Sequence, residues 1–143
     1  MPRHISFVFP GQGSQFVGML DNIDSSLIAT IKEDLANQFD FDLIDIINNG
    51  PEEVLNKTSI TQPAILLASC LAYKQLQLEM DIKPDLMCGH SLGEFSALVA
   101  SESIDLVNAL KLVHKRGIFM ENCVNGSMSV SYTHLRAHET SID

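Results

Sequence analysis

Apolar residues along the chain form two short runs separated by longer stretches with helical spacing. "ISFVF" (5–9) is rich in β-formers and ends at Pro10-Gly11, and this pattern predicts a buried strand. "KPDLMCG" (83–89) predicts a second strand of the same kind. Because helical segments lie between the two runs, we expect an α/β protein, with a parallel sheet flanked by helices on both faces.

The spacing of apolar residues also indicates where the helices lie. "PAILLASCLAYKQLQLEM" is apolar almost all round in its first half, so we expect that half to be buried. The last stretch, 131–143, has few apolar residues and no period, and we expect it to be poorly ordered. Helical segments are predicted after a cap at Asp24 or Ser25, over 43–47, at 51–53, from Pro63 with Thr61 as N-cap, over Leu92–Ala100 and from Asp105.

Composition narrows the class of protein. With 143 residues, 45% hydrophobic and 19% charged, the chain has the composition of one globular domain. Its net charge of −9 argues against a nucleic-acid binder, which would show a basic face. No apolar run approaches the roughly 18 residues that a membrane span needs, and the N-terminal run is too short for a signal peptide. These features predict a cytoplasmic protein that binds neither nucleic acid nor membrane.

The three cysteines do not form a recognisable pattern. Cys70, Cys88 and Cys123 are an odd number at wide spacing, and no C-x-x-C pair is present. Each stands in an apolar-rich stretch, so we expect three buried, reduced thiols.

The first candidate catalytic motif is "GHSLG" (89–93). This is the G-x-S-x-G pattern, which places a nucleophilic serine on a sharp turn when a strand precedes it and a helix follows. Both neighbours are predicted here, so catalysis by Ser91 is preferred over an ordinary polar turn. The helix N-terminus and the backbone N–H of Leu92 would stabilise a developing oxyanion.

A second oxyanion donor is expected from the loop "GQGSQ" (11–15). This loop follows the first strand, so in a parallel sheet it emerges at the same carboxyl edge as the serine corner. A simple flexible turn is the alternative, but a turn has no need of two glutamines, Gln12 and Gln15.

Four motifs in this order resemble one family. "FVFPGQGSQ", "LNKTSITQPAILLAS", "GHSLGEFSAL" and "LVHKRGIFM" are similar to the malonyl-CoA:acyl-carrier-protein transacylases of bacterial fatty acid synthesis. The likeness covers about residues 5 to 130, and the acyltransferase domains of polyketide synthases share GHSxGE. It implies a sheet that is part of a hydrolase-like large subdomain.

The resemblance implies a mechanism and its residues. Ser91 would take malonyl from coenzyme A and pass it to the phosphopantetheine thiol of acyl carrier protein, with backbone N–H groups of Gln12 and Leu92 as the oxyanion hole. Arg116 would hold the malonyl carboxylate, and Gln62 would line the same pocket. No bound cofactor or metal is implied, since the coenzyme A thioester is the substrate, and the complete protein would be a monomer.

The arginine assignment also makes chemical sense. Malonyl differs from acetyl by one carboxylate, which a planar guanidinium can bind through two hydrogen bonds. Lys111 and Lys115 lie near Arg116 but are expected to be ordinary surface cations. His90 and Glu94, beside the nucleophile, are given packing and helix-dipole roles.

Histidines elsewhere receive no catalytic role. His134 and His138 have a spacing that can bind a metal on a helix, but they lack helical context and a third ligand. His4 and His114 have no acidic or thiol neighbours in the sequence.

The resemblance stops near Val130. Family members place the histidine base, and a ferredoxin-like small subdomain, further downstream. We therefore expect residues 1–130 to be the N-terminal part of the large subdomain, and 131–143 to be a tail unrelated to the family, from a frameshift, an assembly join or a vector. A fragment of this kind, with the small subdomain missing, would show little or no turnover and would aggregate readily.

Two other functions remain open at this stage. A serine hydrolase such as a thioesterase also uses G-x-S-x-G, and differs mainly in letting water reach the acyl-serine. An inactive fragment that only occupies acyl carrier protein is the third, although the acidic charge of the chain disfavours attraction to an acidic partner.

Overall fold

A computed structural model describes residues 4–123 and shows helices around a short parallel sheet. Strand β1 (Ser6–Phe9) pairs in parallel with β2 (Leu86–Gly89), with Phe9 opposite Gly89. Both strands fall inside the predicted runs. The helices are α1 (Ser25–Leu35), α2 (Leu43–Asn49), α3 (Glu52–Leu55), α4 (Thr58–Glu79), α5 (Leu92–Ala100) and α6 (Leu106–Glu121).

Side-chain caps explain where several of these helices begin. The Asp24 carboxylate accepts the Ser26 N–H ahead of α1, and the Asp105 carboxylate accepts the Asn108 N–H ahead of α6. Both satisfy N–H groups that have no partner within the helix. These starts, and the bounds of α5, confirm the predictions.

The hydrophobic core lies between α4 and the other helices, above all α6. The first half of α4 is buried, as its apolar composition predicts. Leu66 and Leu67 of α4, and Leu110 and Val113 of α6, are completely inaccessible to solvent. The pair of helices α4 and α6 is therefore the best-packed part of the described chain.

The predicted cap of α4 is wrong. Thr61 does not precede the helix but lies inside it, and its hydroxyl donates to the Leu55 carbonyl at 2.5 Å. Pro63 is likewise interior, so the Ser59 carbonyl four residues earlier lacks its usual helical N–H donor. His114 of α6 supplies a substitute, with Nδ1 2.8 Å from that carbonyl oxygen. This contact with another helix allows Pro63 to lie inside α4, whereas the sequence pattern predicts it in the first turn.

The sheet is covered on only one face within residues 4–123. Phe7 and Phe9 meet the Tyr73 ring of α4 edge-on, at centroid distances of 5.3 and 6.0 Å. On the same face, Gly89 packs against Gly93 of α5. The prediction of helices on both faces is wrong for the described residues, because the residues that point the other way are all exposed: Ser6, Val8, Leu86 and Cys88.

The prediction that all three cysteines are buried is wrong for two of them. All three are free, but only Cys70 is buried, whereas Cys88 and Cys123 are exposed. Cys88 is exposed because it lies on the uncovered face of the sheet. None of the helices within the described range is long and apolar enough to cross a membrane.

Candidate active site

Ser91 stands at a sharp corner between β2 and α5. Its backbone has φ 52° and ψ −100°, and non-glycine residues rarely adopt a positive φ. It is the N-cap of α5, yet its hydroxyl makes no capping hydrogen bond. Strained backbone and an unused cap are typical of functional positions, where the side chain serves another purpose.

Glycines allow this corner to form. A Cβ at Gly89 would collide with the backbone of Gly93, and a Cβ at Gly93 would collide with the Phe9 carbonyl. The Gly93 N–H also donates to the His90 carbonyl at 2.9 Å. The two strands and the first turn of α5 therefore meet backbone to backbone, without room for side chains.

The glycine loop reaches the same corner. A Cβ at Gly11 would lie 2.9 Å from the His90 carbonyl oxygen, so loop 11–15 runs beside the residue that precedes Ser91. The Gln12 side chain donates to the Thr58 hydroxyl at 3.2 Å, and the Gln15 side chain donates to Asn56 at 2.8 Å. The two glutamine side chains hold the loop against the first residue of α4 and the residues just before it.

The structure brings together Ser91 from the N-cap of α5, Arg116 from α6 and Gln62 from α4. One terminal nitrogen of Arg116 donates to Ser91 Oγ at 3.0 Å, and the other donates to Gln62 Oε1 at 2.9 Å. Ser91 and Arg116 are half-buried, and Gln62 is completely buried. A fixed cation thus lies within hydrogen-bond reach of the candidate nucleophile.

Two neighbours of this cluster are missed by the sequence analysis. The Arg116 guanidinium lies 5.8 Å from the centre of the Phe95 ring, within cation–π range. Gln62 Nε2 donates to the Met120 sulfur at 3.1 Å. The only signal for Phe95 is its position one helical turn after Ser91, which is too general to single it out.

The candidate oxyanion donors lie at the ends of two different elements. Leu92 is the first residue of α5, and Gln12 belongs to the loop that follows β1. Among residues 4–123, neither backbone N–H has a hydrogen-bond acceptor.

The other charged and titratable residues named in the sequence analysis stand apart from this cluster. The His90 side chain is exposed, and Glu94 is exposed in the first turn of α5. Lys111 donates to Gln38, and Lys115 is exposed. Within the described range, no histidine is hydrogen-bonded to Ser91 Oγ.

Metal-binding side chains do not converge in this part of the chain. No group of three histidine, cysteine, aspartate or glutamate residues could hold an ion within residues 4–123. His134, His138 and the tail 131–143 lie outside the described residues.

A serine at a glycine-lined corner between a strand and a helix is the arrangement typical of α/β proteins with a nucleophilic serine. Comparison with known families makes this specific. The model of the family described as "Acyl transferase domain" matches residues 6–141, and the chain belongs to that family.

Two relatives with similar sequences share one name. The malonyl CoA-acyl carrier protein transacylase of Escherichia coli K12 is 45% identical over 121 residues, and that of Haemophilus influenzae is 41% identical over 134 residues. The alignments cover 83% and 91% of this chain, but only 39% and 43% of those proteins. The chain thus spans about two fifths of the length of these relatives.

Solved structures agree with the sequence comparison. The malonyl CoA-acyl carrier protein transacylase of Coxiella burnetii superimposes with a TM-score of 0.80 at 38% identity, over 87% of this chain and 40% of that one. A second match is a type II polyketide acyl-carrier protein in complex with its malonyl-transacylase, with a TM-score of 0.78 at 41% identity, over 86% of this chain and 40% of that one.

Proposed function

We propose that this chain carries the nucleophile and the acyl-binding residues of a malonyl-CoA:acyl-carrier-protein transacylase. Ser91 Oγ attacks the thioester carbonyl, a serine ester forms, and coenzyme A leaves as its thiol with the proton taken from the hydroxyl. The phosphopantetheine thiol of acyl carrier protein then attacks the ester, receives the malonyl group and returns a proton to Ser91. The coenzyme A thioester is a substrate, and no bound cofactor takes part.

The observation that carries the proposal is the position of Arg116 between Ser91 and Gln62. In a malonyl thioester, the carboxylate is one methylene away from the carbonyl that the serine attacks. A guanidinium within reach of the serine hydroxyl is therefore well placed to bind that carboxylate while the ester forms. In the proposal, the carboxylate replaces Ser91 Oγ as an acceptor for Arg116, and buried Gln62 keeps the guanidinium oriented.

The oxyanion that develops on the thioester oxygen needs donors of its own. We assign these to the backbone N–H groups of Gln12 and Leu92. The position of Leu92 at the N-terminus of α5 adds the favourable end of the helix dipole. Donors from two separate elements make the oxyanion hole depend on the packing of loop 11–15 against the corner.

A base must take the proton from Ser91, because a neutral hydroxyl is a weak nucleophile. Since no histidine within residues 4–123 is hydrogen-bonded to Ser91 Oγ, we assign the base to a group outside the described residues. In keeping with this, we propose that residues 1–130 form the N-terminal part of the large acyltransferase subdomain and turn over slowly by themselves. The family match extends beyond residue 130, so the division there remains a prediction.

Intact-mass spectrometry after incubation with excess malonyl-CoA tests the proposal. We expect a single malonyl adduct on the wild-type chain and none on Ser91→Ala. Ser101→Ala changes an exposed serine at the end of α5 and serves as the matched control, with the adduct retained. Release of free malonate without an adduct would indicate a hydrolase, and a malonyl adduct that persists in Ser91→Ala would contradict the assignment of Ser91.

Substitution of the arginine tests recognition of the carboxylate. Arg116→Lys retains the charge but loses the two-pronged geometry, so the preference for malonyl-CoA over acetyl-CoA should fall about tenfold. Lys115→Arg, next to it on the exposed side of α6, is the control and should leave the preference unchanged. The measurement is the ratio of adduct-formation rates with the two thioesters.

A further inference from the structure

Ser59, in the first turn of α4, contacts three residues of α6. His114 Nδ1 lies 2.8 Å from the Ser59 carbonyl oxygen. One Glu121 carboxylate oxygen accepts both the Ser59 N–H, at 2.8 Å, and the Ser59 hydroxyl, at 3.0 Å. Between them, Gly117 brings the helix backbones together, since a Cβ there would lie 2.5 Å from Ser59 Cα. We call this set of four residues the Ser59 clamp.

The clamp satisfies backbone groups that α4 cannot satisfy by itself. Pro63 has no N–H to donate to the Ser59 carbonyl, and the residue ahead of the helix, Lys57, provides no side-chain cap for the first N–H groups. Ser59 is buried, so an unpaired carbonyl or N–H here would be costly. Both the carbonyl and the N–H group of Ser59 have their hydrogen-bond partners on α6, and these bonds join the two helices at the position of Ser59.

The histidine of the clamp is held in a fixed orientation. Its ring meets Phe39 edge-on at a centroid distance of 5.5 Å and lies 5.2 Å from Phe41 at a tilt of 59°. Because the Ser59 carbonyl can only accept a hydrogen bond, Nδ1 must carry the proton. His114 is therefore a neutral or charged donor aimed at one acceptor, without freedom to turn away.

The clamp lies directly beside the acyl-binding pair. Gln62 follows Ser59 by three residues, about one turn of α4, and Arg116 adjoins Gly117 on α6. The hydrogen bond of 2.9 Å between Arg116 and Gln62 joins the same two helices. A shift of α6 along α4 would break this bond, and the clamp opposes such a shift.

We propose that His114 and Glu121 are positioning residues, which fix the register of α6 on α4 so that Arg116 meets Gln62 and is ready for a carboxylated acyl group. This inference rests on the proposed function for the nature of the acyl group. The register itself is independent of that function and can be measured separately.

Substitutions that keep or remove a single hydrogen-bonding atom test the clamp. In His114→Asn, the amide nitrogen is two bonds from Cβ, as Nδ1 is, and can donate to Ser59; His114→Leu places a methyl group at that point. Glu121→Gln keeps an acceptor oxygen, and Glu121→Leu removes it. Glu121 is exposed, so its variants are expected to fold even if a change at His114 disturbs the core. Leu112→Asn, on the exposed side of α6, is the control.

The first measurement is the rate at which phenylglyoxal modifies Arg116, followed by peptide mass mapping. His114→Leu and Glu121→Leu should each expose the guanidinium and raise this rate about fivefold, whereas His114→Asn, Glu121→Gln and the control should stay within about twofold of wild type. Equal rates in the Leu and the Asn or Gln variants would overturn the proposal, because the hydrogen bonds would then have no effect on Arg116.

The second measurement is the malonyl-CoA to acetyl-CoA ratio of adduct formation. This ratio should fall about fivefold in the two Leu variants and recover in the Asn and Gln variants. A general loss of structure would instead lower both rates together. If the wild-type chain shows no preference for malonyl-CoA while the phenylglyoxal pattern holds, the proposed function fails and the register role of the clamp stands.

Discussion

The pair of helices α4 and α6 and the two-stranded sheet differ sharply in how they are packed. Leu66, Leu110 and Val113 between the helices are completely buried. In contrast, Val8 of β1 and Leu86 of β2 remain 72% and 58% exposed. One region is a closed core, and the other presents an open apolar face.

This difference divides the candidate site into two halves. Arg116 and Gln62 rest on the closed helix pair, where packing and the Ser59 clamp fix their side chains. Ser91 rests on β2, and its corner is held by backbone contacts of Gly89 and Gly93 rather than by side-chain burial. The half with Arg116 and Gln62 should therefore respond to changes in the core, and the half with Ser91 to changes at the glycines.

Truncation of one apolar side chain in each region should give the largest contrast. Leu110→Ala removes a fully buried side chain and should lower the free energy of unfolding by about 3 kcal/mol, through lost burial and the cavity left behind. Val8→Ala removes a side chain that is mostly in water and should cost less than about 0.5 kcal/mol. Urea unfolding followed by circular dichroism measures both. Similar losses at the two positions would show that the sheet face is covered in solution.

Gly93→Ala should have the next largest effect. The added methyl group collides with the Phe9 carbonyl, so the backbone must shift, at a cost of about 2 kcal/mol. The same shift moves Ser91, so malonyl adduct formation should be lost even where the protein remains folded. Leu98→Ala, on the exposed side of the same helix, is the control for stability and for the adduct. An unaffected adduct in Gly93→Ala would mean that the corner does not depend on close backbone contact.

Local sequence signals account for most of the fold. Caps at Asp24 and Asp105, and the glycines around Ser91, act through neighbouring residues, so their patterns predict the helix starts and the corner correctly. The start of α4 could not be found in this way. A proline inside a helix is stable here because His114, which lies 55 residues after Ser59, supplies the missing donor.

Local sequence patterns are limited in the same way for the candidate site. Ser91 stands out from local pattern, and Arg116 and Gln62 were singled out through a family resemblance. Their contact with each other, and with Phe95, depends on how three helices pack, which no local spacing contains. The exposure of Cys88 was missed for a related reason, since an apolar run predicts a buried strand without showing whether both of its faces are covered.

The reactivity of two thiols gives the smallest expected difference between the closed core and the open face of the sheet. Burial raises the pKa of the Cys70 thiol from 9.0 to about 12, because the thiolate would lose its hydration among the apolar residues around α4. Cys88 is exposed on the open face of the sheet. In a Cys123→Ser background, a thiol reagent at neutral pH should therefore modify Cys88 readily and leave Cys70 intact until the protein unfolds.

The same burial gives Cys70 a signature in the pH dependence of stability. Its folded pKa is higher than its unfolded pKa, so the unfolded chain loses the proton first. The resulting stability is present below about pH 9 and is lost as the pH rises from there towards about 12. Between about pH 9 and pH 10 the loss should be about 1 kcal/mol. Unfolding of wild type and Cys70→Ala at the two pH values isolates this contribution, because the decline should be smaller by that amount in the variant. Equal declines in wild type and Cys70→Ala would place Cys70 in contact with water and contradict a closed core around α4.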